Sequence, residues 1–264
     1  MNCSSESSLL AIDVGNTAIK VGRFHGADHP SSPFPIDVIR LDARSPNFDE
    51  LRAWLPADPF TCCMASVYRQ AAEEIVDWMR TIPSIRRVHQ LQHSDFQIPI
   101  QVDHPDRVGQ DRLANAVAAR WAKSSESSAI VVDAGSAITV DLISAAGCFL
   151  GGAILAGQQA SALALSSGTD LLPVISTYRM DDPPEVVGAA TDSAIRSGVF
   201  WGAVGSIREI VERMQVHVGS ASEIFLTGGD MRRLAPHLAP NAQYMPHLVL
   251  SGIALAARSQ TSFA

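Results

Sequence analysis

Asp13, Gly15, Asn16, Thr17 and Lys20 are carried by one segment, LLAIDVGNTAIKVGRF (9–24), in which an apolar run ends at an acid, turns at glycine and resumes as a second apolar run. Such a turn can clamp phosphate. Glycine lets backbone approach an anion, the turn N–H groups and a Thr hydroxyl can donate to phosphate oxygens, and a carboxylate at a strand end can hold a hydrated metal ion. A lone Asp-x-Gly also occurs in ordinary hairpins. Here the turn recurs. AIVVDAGSAITVDLI (129–143) sets Asp133 against Asp13, Gly135 against Gly15 and Ser136 against Asn16, with an apolar run before each acid. A repeated supersecondary unit predicts two similar halves, whose opposed turns would bracket one polyphosphate. EIFLTGGD (223–230) adds strand, glycine turn and helix, with Gly228 and Gly229 offering bare backbone to a flat ligand or a phosphate. Three such turns in this order point to ATP.

The elements that must hold these turns alternate strand and helix, which predicts an α/β fold. An amphipathic helix is expected around AAEEIVDWMR with Ile75, Val76 and Met79 on one face, after the Pro-rich stretch HPSSPFPI. IPIQVDHPDR reads as extended, and the domain junction is placed there, giving domains 1–107 and 108–264. A helix from about 109 to 122 should bury Leu113, Ala116, Val117 and Trp121. The polar loop KSSESS should separate it from the second turn. A long helix should carry Ile195, Val199, Val204, Ile207, Val211 and Met214, and HLVLSGIALAAR a last one packed on the core. Phe200 and Trp201 adjoin that long apolar set, so the helix either lies buried in its own domain or offers a second face to a partner.

At 264 residues and 47% apolar content, the chain can bury substantial cores. Its apolar runs are too short to span a bilayer, and MNCSSESS lacks the regions of a signal peptide, so a cytoplasmic enzyme is expected. A net charge of −7 without a basic cluster argues against nucleic acid as the main partner. Cys62, Cys63 and Cys148 read as buried thiols, and Cys3 lies in an N-terminal tail. No cysteine spacing suggests zinc. His89 and His93 have the spacing to share a helix face, where a surface pair is the plainer reading than a metal site.

Asp111 is the choice for the reacting end. In the first turn of the 109–122 helix, beside Arg112, the helix dipole and the cation both favour its ionised form. A carboxylate there can orient an acceptor hydroxyl and take its proton late in phosphoryl transfer. Local sequence by itself favours an N-terminal charge with Arg112 as its surface partner.

The ordered segments DVGNTAIK (13–20), VGQDRLANAVAA (108–119), DAGSAITVD (133–141), GCFLGGAILAG (147–157), TDLLP (169–173) and LTGGD (226–230) resemble the type III pantothenate kinases of the actin-like and sugar-kinase ATPase superfamily. The resemblance spans nearly the whole chain. It implies two ribonuclease H-like, actin-like ATPase domains with a nucleotide cleft between them, and phosphorylation of pantothenate by ATP in the first step of coenzyme A biosynthesis. It also implies roles. Asp111 would be the catalytic base, with Gly109, Gln110 and Arg112 binding pantothenate. Asp13, Gly15, Asn16, Thr17 and Lys20 would hold phosphates, Asp13 facing the Mg²⁺ environment. Gly135, Ser136, Ala137 and Thr139 would form the second phosphate turn, backed by GCFLGGAILAG, with Gly228 and Gly229 at the nucleotide. Asp133 would bind a monovalent cation, K⁺ or NH₄⁺. A homodimer would close the pocket near Thr191.

Four positions depart from the family pattern: Ser136 for Thr, Ala156 for Pro, Val102 for an aromatic residue and Ala190 for Asn. The last two lie on the pantothenate side. They keep open a kinase of the same build with another small hydroxyl-bearing acceptor, or a nucleotide-binding regulator without transfer.

Overall fold

The computed structural model describes residues 8–25, 33–177, 182–219 and 221–259. The chain starts with β1 (Ser8–Val14), β2 (Ala18–Phe24) and β3 (Asp37–Asp42), an antiparallel meander. It continues through α1 (Phe48–Trp54), β4 (Phe60–Ser66), α2 (Arg69–Met79) and β5 (Ile85–Gln90). These strands form one sheet in the order β3-β2-β1-β4-β5, with β4 parallel to β1 and β5 parallel to β4. Asn47 starts α1 by accepting the Glu50 N–H. The α2 residues Ile75, Val76 and Met79 pack on Leu10, Ile12 and Val14 of β1, so the expected apolar face is present. HPSSPFPI falls partly outside the described residues, as does Cys3.

After α3 (Gln110–Ala122), the chain makes a second meander, β6 (Ser128–Ala134), β7 (Ala137–Ile143) and β8 (Phe149–Ala156). Then come α4 (Gln158–Gly168), α5 (Thr191–Val218), β9 (Ser222–Thr227), α6 (Met231–Leu234), β10 (Gln243–Tyr244) and α7 (Leu248–Arg258). The second sheet runs β10-β9-β6-β7-β8, with β9 parallel to β6 and β10 parallel to β9. Read outward from β1 or from β6, the two sheets have the same order and the same strand directions. The sequence repeat is therefore a repeat of topology, one ribonuclease H-like sheet in each half.

The compact units correct the single cut at residue 107. One unit gathers the described residues up to Pro99, Asp103–Ala122 and those from His247 onward; the other holds Ile100–Val102 and Lys123–Pro246. Helices α3 and α7 pack on each other, and α7 lies on β1, β2 and β4. That covering explains why β1 is buried along nearly its whole length rather than at alternate residues. Ile100 leaves the first unit because it bridges in parallel to Phe149, and the Gln101 N–H donates to the Phe149 carbonyl at 2.9 Å.

Two burial expectations also change. On α3, Leu113 and Ala116 are buried as expected, but Val117 is half-buried and Trp121 is exposed, its ring edge-on to Phe34. The close approach of α7 favours the small side chains Ala114, Ala116, Ala118 and Ala119 on the buried face. On α5, Phe200 is buried and Trp201 half-buried within their own unit, in a T-shaped cluster with His237. The aromatic pair thus belongs to the core formed with Ile130, Val204 and Ile207.

Cys62, Cys63 and Cys148 are free, buried thiols. Burial pushes the Cys63 thiol up to about 12, and burial with the neighbouring Cys63 drives Cys62 higher still. Both are neutral at physiological pH, and no metal cluster of His, Cys, Asp or Glu occurs among the described residues.

Candidate functional site

In the first unit, β1 ends in the glycine turn, closed by the Gly15 N–H donating to the Ala18 carbonyl at 3.0 Å. Asp13 is buried and sits opposite Lys20 in the β1–β2 ladder, with Lys20 Nζ 3.6 Å from its Oδ2. Pairing across the ladder lets a carboxylate remain ionised in a covered strand. Asn16 is exposed at the turn and Thr17 half-buried, its carbonyl accepting from the Ala43 N–H at 3.1 Å. Burial, with the Lys20 charge adding to it, pulls the His247 imidazole below its usual pKa. His247 therefore lies within electrostatic reach of Lys20, a relation its distance in sequence concealed.

Asp111 enters the same unit at the start of α3. The turn before it is anchored to the carboxyl ends of the parallel strands. Gln110 Oε1 accepts from the Ser66 N–H at 2.9 Å, and Gln110 Nε2 donates to the Leu91 carbonyl at 2.8 Å. The Val67 N–H in turn donates to the Val14 carbonyl at 3.1 Å, tying β4 to the end of β1. Asp13 and Asp111 are thus brought to one edge of one sheet, where α/β folds bind ligands. Gln110 is engaged at both ends of its amide, which makes it part of the scaffold of this turn. Asp111 Oδ1 accepts from the Arg112 N–H at 2.8 Å, and both residues are half-buried.

In the second unit, the other two turns meet in the same way. The Gly135 N–H donates to the Ala137 carbonyl at 2.9 Å, closing a turn one residue shorter than the first. The shortening changes the ladder: where Lys20 faces Asp13, Thr139 faces Asp133, and Thr227 of β9 stands on its other side. Gly228 adopts φ 102°, and a β-carbon there would overlap the Ala134 carbonyl. Only glycine admits that backbone and that approach. The Asp230 N–H then donates to the same Ala134 carbonyl at 3.0 Å, and Arg233 pairs with Asp230 at 3.1 Å. Burial raises the Asp230 pKa, with the Arg233 charge opposing it. Gly157 closes the group, its N–H donating to the Ser136 carbonyl at 3.2 Å, in a place where a β-carbon would collide with the Gly135 and Ser136 carbonyls.

Each unit thus carries a glycine turn closed by its own backbone, with a carboxylate, Asp13 or Asp133, at the matching strand end. A profile of the type III pantothenate kinase family matches residues 9–213, from β1 into α5. The chain belongs to that family. A type III pantothenate kinase of Rhodopirellula baltica is 34% identical over 92% of this chain and 96% of its own length. Another, from Parafrankia sp., is 33% identical over 96% of this chain and 98% of its own. A solved structure from Campylobacter jejuni, described as a Baf family transcriptional activator, aligns with a TM-score of 0.56 at 21% identity, covering 92% of this chain and 94% of that one. That likeness concerns the fold.

Among the site residues named for this pantothenate kinase family member, Asp13, Gly15, Asn16, Thr17, Lys20, Gly109, Gln110, Asp111 and Arg112 lie in the first unit. Asp133, Gly135, Ser136, Ala137, Thr139, Thr191, Gly228 and Gly229 lie in the second. Thr191 is exposed at the first position of α5, apart from the two glycine turns by sequence and by element. Just before it, the Ala190 N–H donates to the Ser193 hydroxyl at 3.0 Å. His89 and His93 do not share a helix: His89 is in β5 and His93 opens a short 3-10 turn. The sequence reading also missed Gln158. Its amide is buried directly after Gly157, with neither end hydrogen-bonded by protein. A polar residue inside the apolar run of β8 and α4 was the available signal.

Proposed function

We propose that this chain transfers the γ-phosphoryl group of ATP to the primary hydroxyl of pantothenate, giving 4'-phosphopantothenate and ADP, the first step toward coenzyme A, as a cytoplasmic enzyme. The observation that carries the reading is the family match across residues 9–213, which takes in both Asp-x-Gly turns and the Asp111 helix. The donor set fits the nucleotide. Asn16, Thr17 and Lys20 supply hydrogen bonds and charge at the first turn, and Gly135, Ser136, Ala137 and Thr139 at the second. Gly228 and Gly229 present bare backbone. Asp13 would hold the Mg²⁺ environment, and the ion supplies neutralisation of polyphosphate charge.

Asp111 is assigned as the base. Its carboxylate orients the acceptor hydroxyl, the new P–O bond forms as the β,γ-bridging oxygen departs with ADP, and the proton passes late to Asp111. Arg112, with the Gly109 and Gln110 backbone, is assigned to pantothenate. Purified protein given ATP and a panel of small alcohols is expected to phosphorylate pantothenate in preference to the others. Preferential product from another alcohol would move the acceptor assignment, which Val102 and Ala190 keep as a second reading. Nucleotide binding without turnover on any acceptor would overturn the kinase.

Asp133 is assigned to a monovalent cation, because a neutral oxygen donor, Thr139, occupies the ladder place that Lys20 takes beside Asp13. The homodimer is supported by apolar side chains left outside the second unit's core: Leu171, Val174, Val186 and Val187 are 88%, 71%, 69% and 84% exposed, close in sequence to Thr191. Turnover in sodium buffer is expected to rise at least severalfold on adding K⁺ or NH₄⁺, and sedimentation to give twice the 28.2 kDa chain mass. Indifference to the cation would remove Asp133 from that role, and a monomer would leave the apolar set without its partner.

A further inference from the structure

We propose that His93 is a positioning residue for Asp111, holding the peptide that leads into α3 so that the carboxylate is presented in register. The proposal rests on Asp111 being the base. The two histidines that the sequence spaces as a pair turn out to be successive parts of one brace. His89 Nε2 lies 3.1 Å from Asp95 Oδ2, and that same oxygen accepts the Gln92 N–H at 2.7 Å. A carboxylate accepting from both sides fixes the 3-10 turn of His93–Phe96 against the end of β5. The turn carries His93. Its Nε2 lies 2.7 Å from the Val108 carbonyl. A carbonyl only accepts, so Nε2 bears the hydrogen, and the tautomer is set by this contact.

Val108 is the last extended residue before Gly109, whose carbonyl takes the first helical hydrogen bond of α3, from the Leu113 N–H at 3.2 Å. His93 therefore grips the peptide between Val108 and Gly109. Gln110, the next residue but one after Val108, is tied to the strand side by its own side chain, which accepts from the Ser66 N–H and donates to the Leu91 carbonyl. Asp111 follows at once. The backbone leading into it is thus held through the side chains of His93 and Gln110, and from Gln97 to Gly109 it has no regular secondary structure beyond a bridge at Ile100 and the short 3-10 turn Pro105–Arg107. Glycine at 109 would let this link swing if His93 let go. Loss of the His93 hydrogen bond should shift Asp111 more than it disturbs the fold.

The test measures turnover and ATP affinity for His93→Leu, His93→Gln and His93→Asn, alone and, for Leu, combined with Asp111→Asn. His93→Leu is expected to lower kcat about ten- to thirtyfold, because a displacement on the order of 1 Å at a reacting group can cost about a hundredfold and the Gln110 tether still limits the shift. ATP affinity should stay within about twofold. His93→Gln, whose amide nitrogen reaches the place of Nε2, should recover kcat to within about threefold. His93→Asn is too short to reach the carbonyl and should match Leu, so the test stands if the Leu variant fails to fold. On the Asp111→Asn background, His93→Leu should add less than about a further twofold, as coupled residues do. Full kcat in both His93→Leu and His93→Asn, with Asp111→Asn strongly impaired, would overturn the positioning role and leave the base intact. A His93→Leu loss that persists undiminished on the Asp111→Asn background would overturn it as well, since His93 would then act elsewhere. Near-normal turnover in Asp111→Asn would instead overturn the base, and the proposal with it.

Discussion

Asp111→Asn is expected to lower turnover by about a hundredfold or more while ATP affinity stays within about twofold. Asparagine keeps the shape of the side chain and can still accept the Arg112 N–H, so the local hydrogen bond seen at 2.8 Å survives. What it cannot do is take a proton. In a loose phosphoryl-transfer transition state the nucleophile is deprotonated late, and the base contributes orientation first and basicity second. The loss should therefore appear in kcat, with little change in the Michaelis constant for ATP. Steady-state kinetics beside direct nucleotide binding separates the two. Near-normal turnover in the folded variant would return Asp111 to the plainer role its sequence context also allows, a negative charge in the first turn of α3.

Much of the placement behind that expectation was legible in the chain. The repeat of Asp-x-Gly after an apolar run foretold two sheets of like order, because a strand buried on both faces must read as a continuous apolar run and a turn around backbone must contain glycine. The helix faces of α2 and α5 were equally readable, since periodicity reports which side chains share a face. What periodicity does not report is which neighbour covers that face. Trp121 lies in register with the α3 core residues, yet it stays exposed with Phe34 against its ring. Phe200 and Trp201 could equally have met a partner, yet His237 and α5's own sheet cover them. The domain cut failed for a related reason. The last helix in sequence returns to the first sheet, and a local reading of Pro-rich segments has no term for a return over that distance. In the site, single residues with side-chain partners far away in sequence stayed hidden: Ser66 under Gln110, His93 on the Val108 carbonyl and His247 near Lys20.

Asp13 provides the other large effect, and its structural surroundings sharpen how it should be read. Asp13→Ala and Asp13→Asn should each lower Mg²⁺-dependent turnover by on the order of a thousandfold, since the carboxylate stands where metal and polyphosphate charge would meet. Asp13 is buried beside Lys20, so a purely structural ion pair is the competing explanation. The two accounts differ in what happens to ATP. If the pair were only structural, losing it from a buried site would cost on the order of 3–5 kcal/mol, lower the melting temperature by roughly 2–4 °C for each kcal/mol, and leave the folded fraction fully active. If Asp13 serves the metal, the folded variant should bind ATP through Lys20, Asn16 and Thr17 yet fail to turn it over. Lys20→Ala should show the complementary defect, weakened ATP binding, because the ammonium is the charge that attracts phosphate at this turn. Binding and turnover measured on both variants therefore assign the two partners separately. An Asp13→Asn protein that folds, binds ATP and retains wild-type turnover would leave the first turn as a hairpin with a salt bridge, and the reading of the paired turns as a polyphosphate clamp would fall with it.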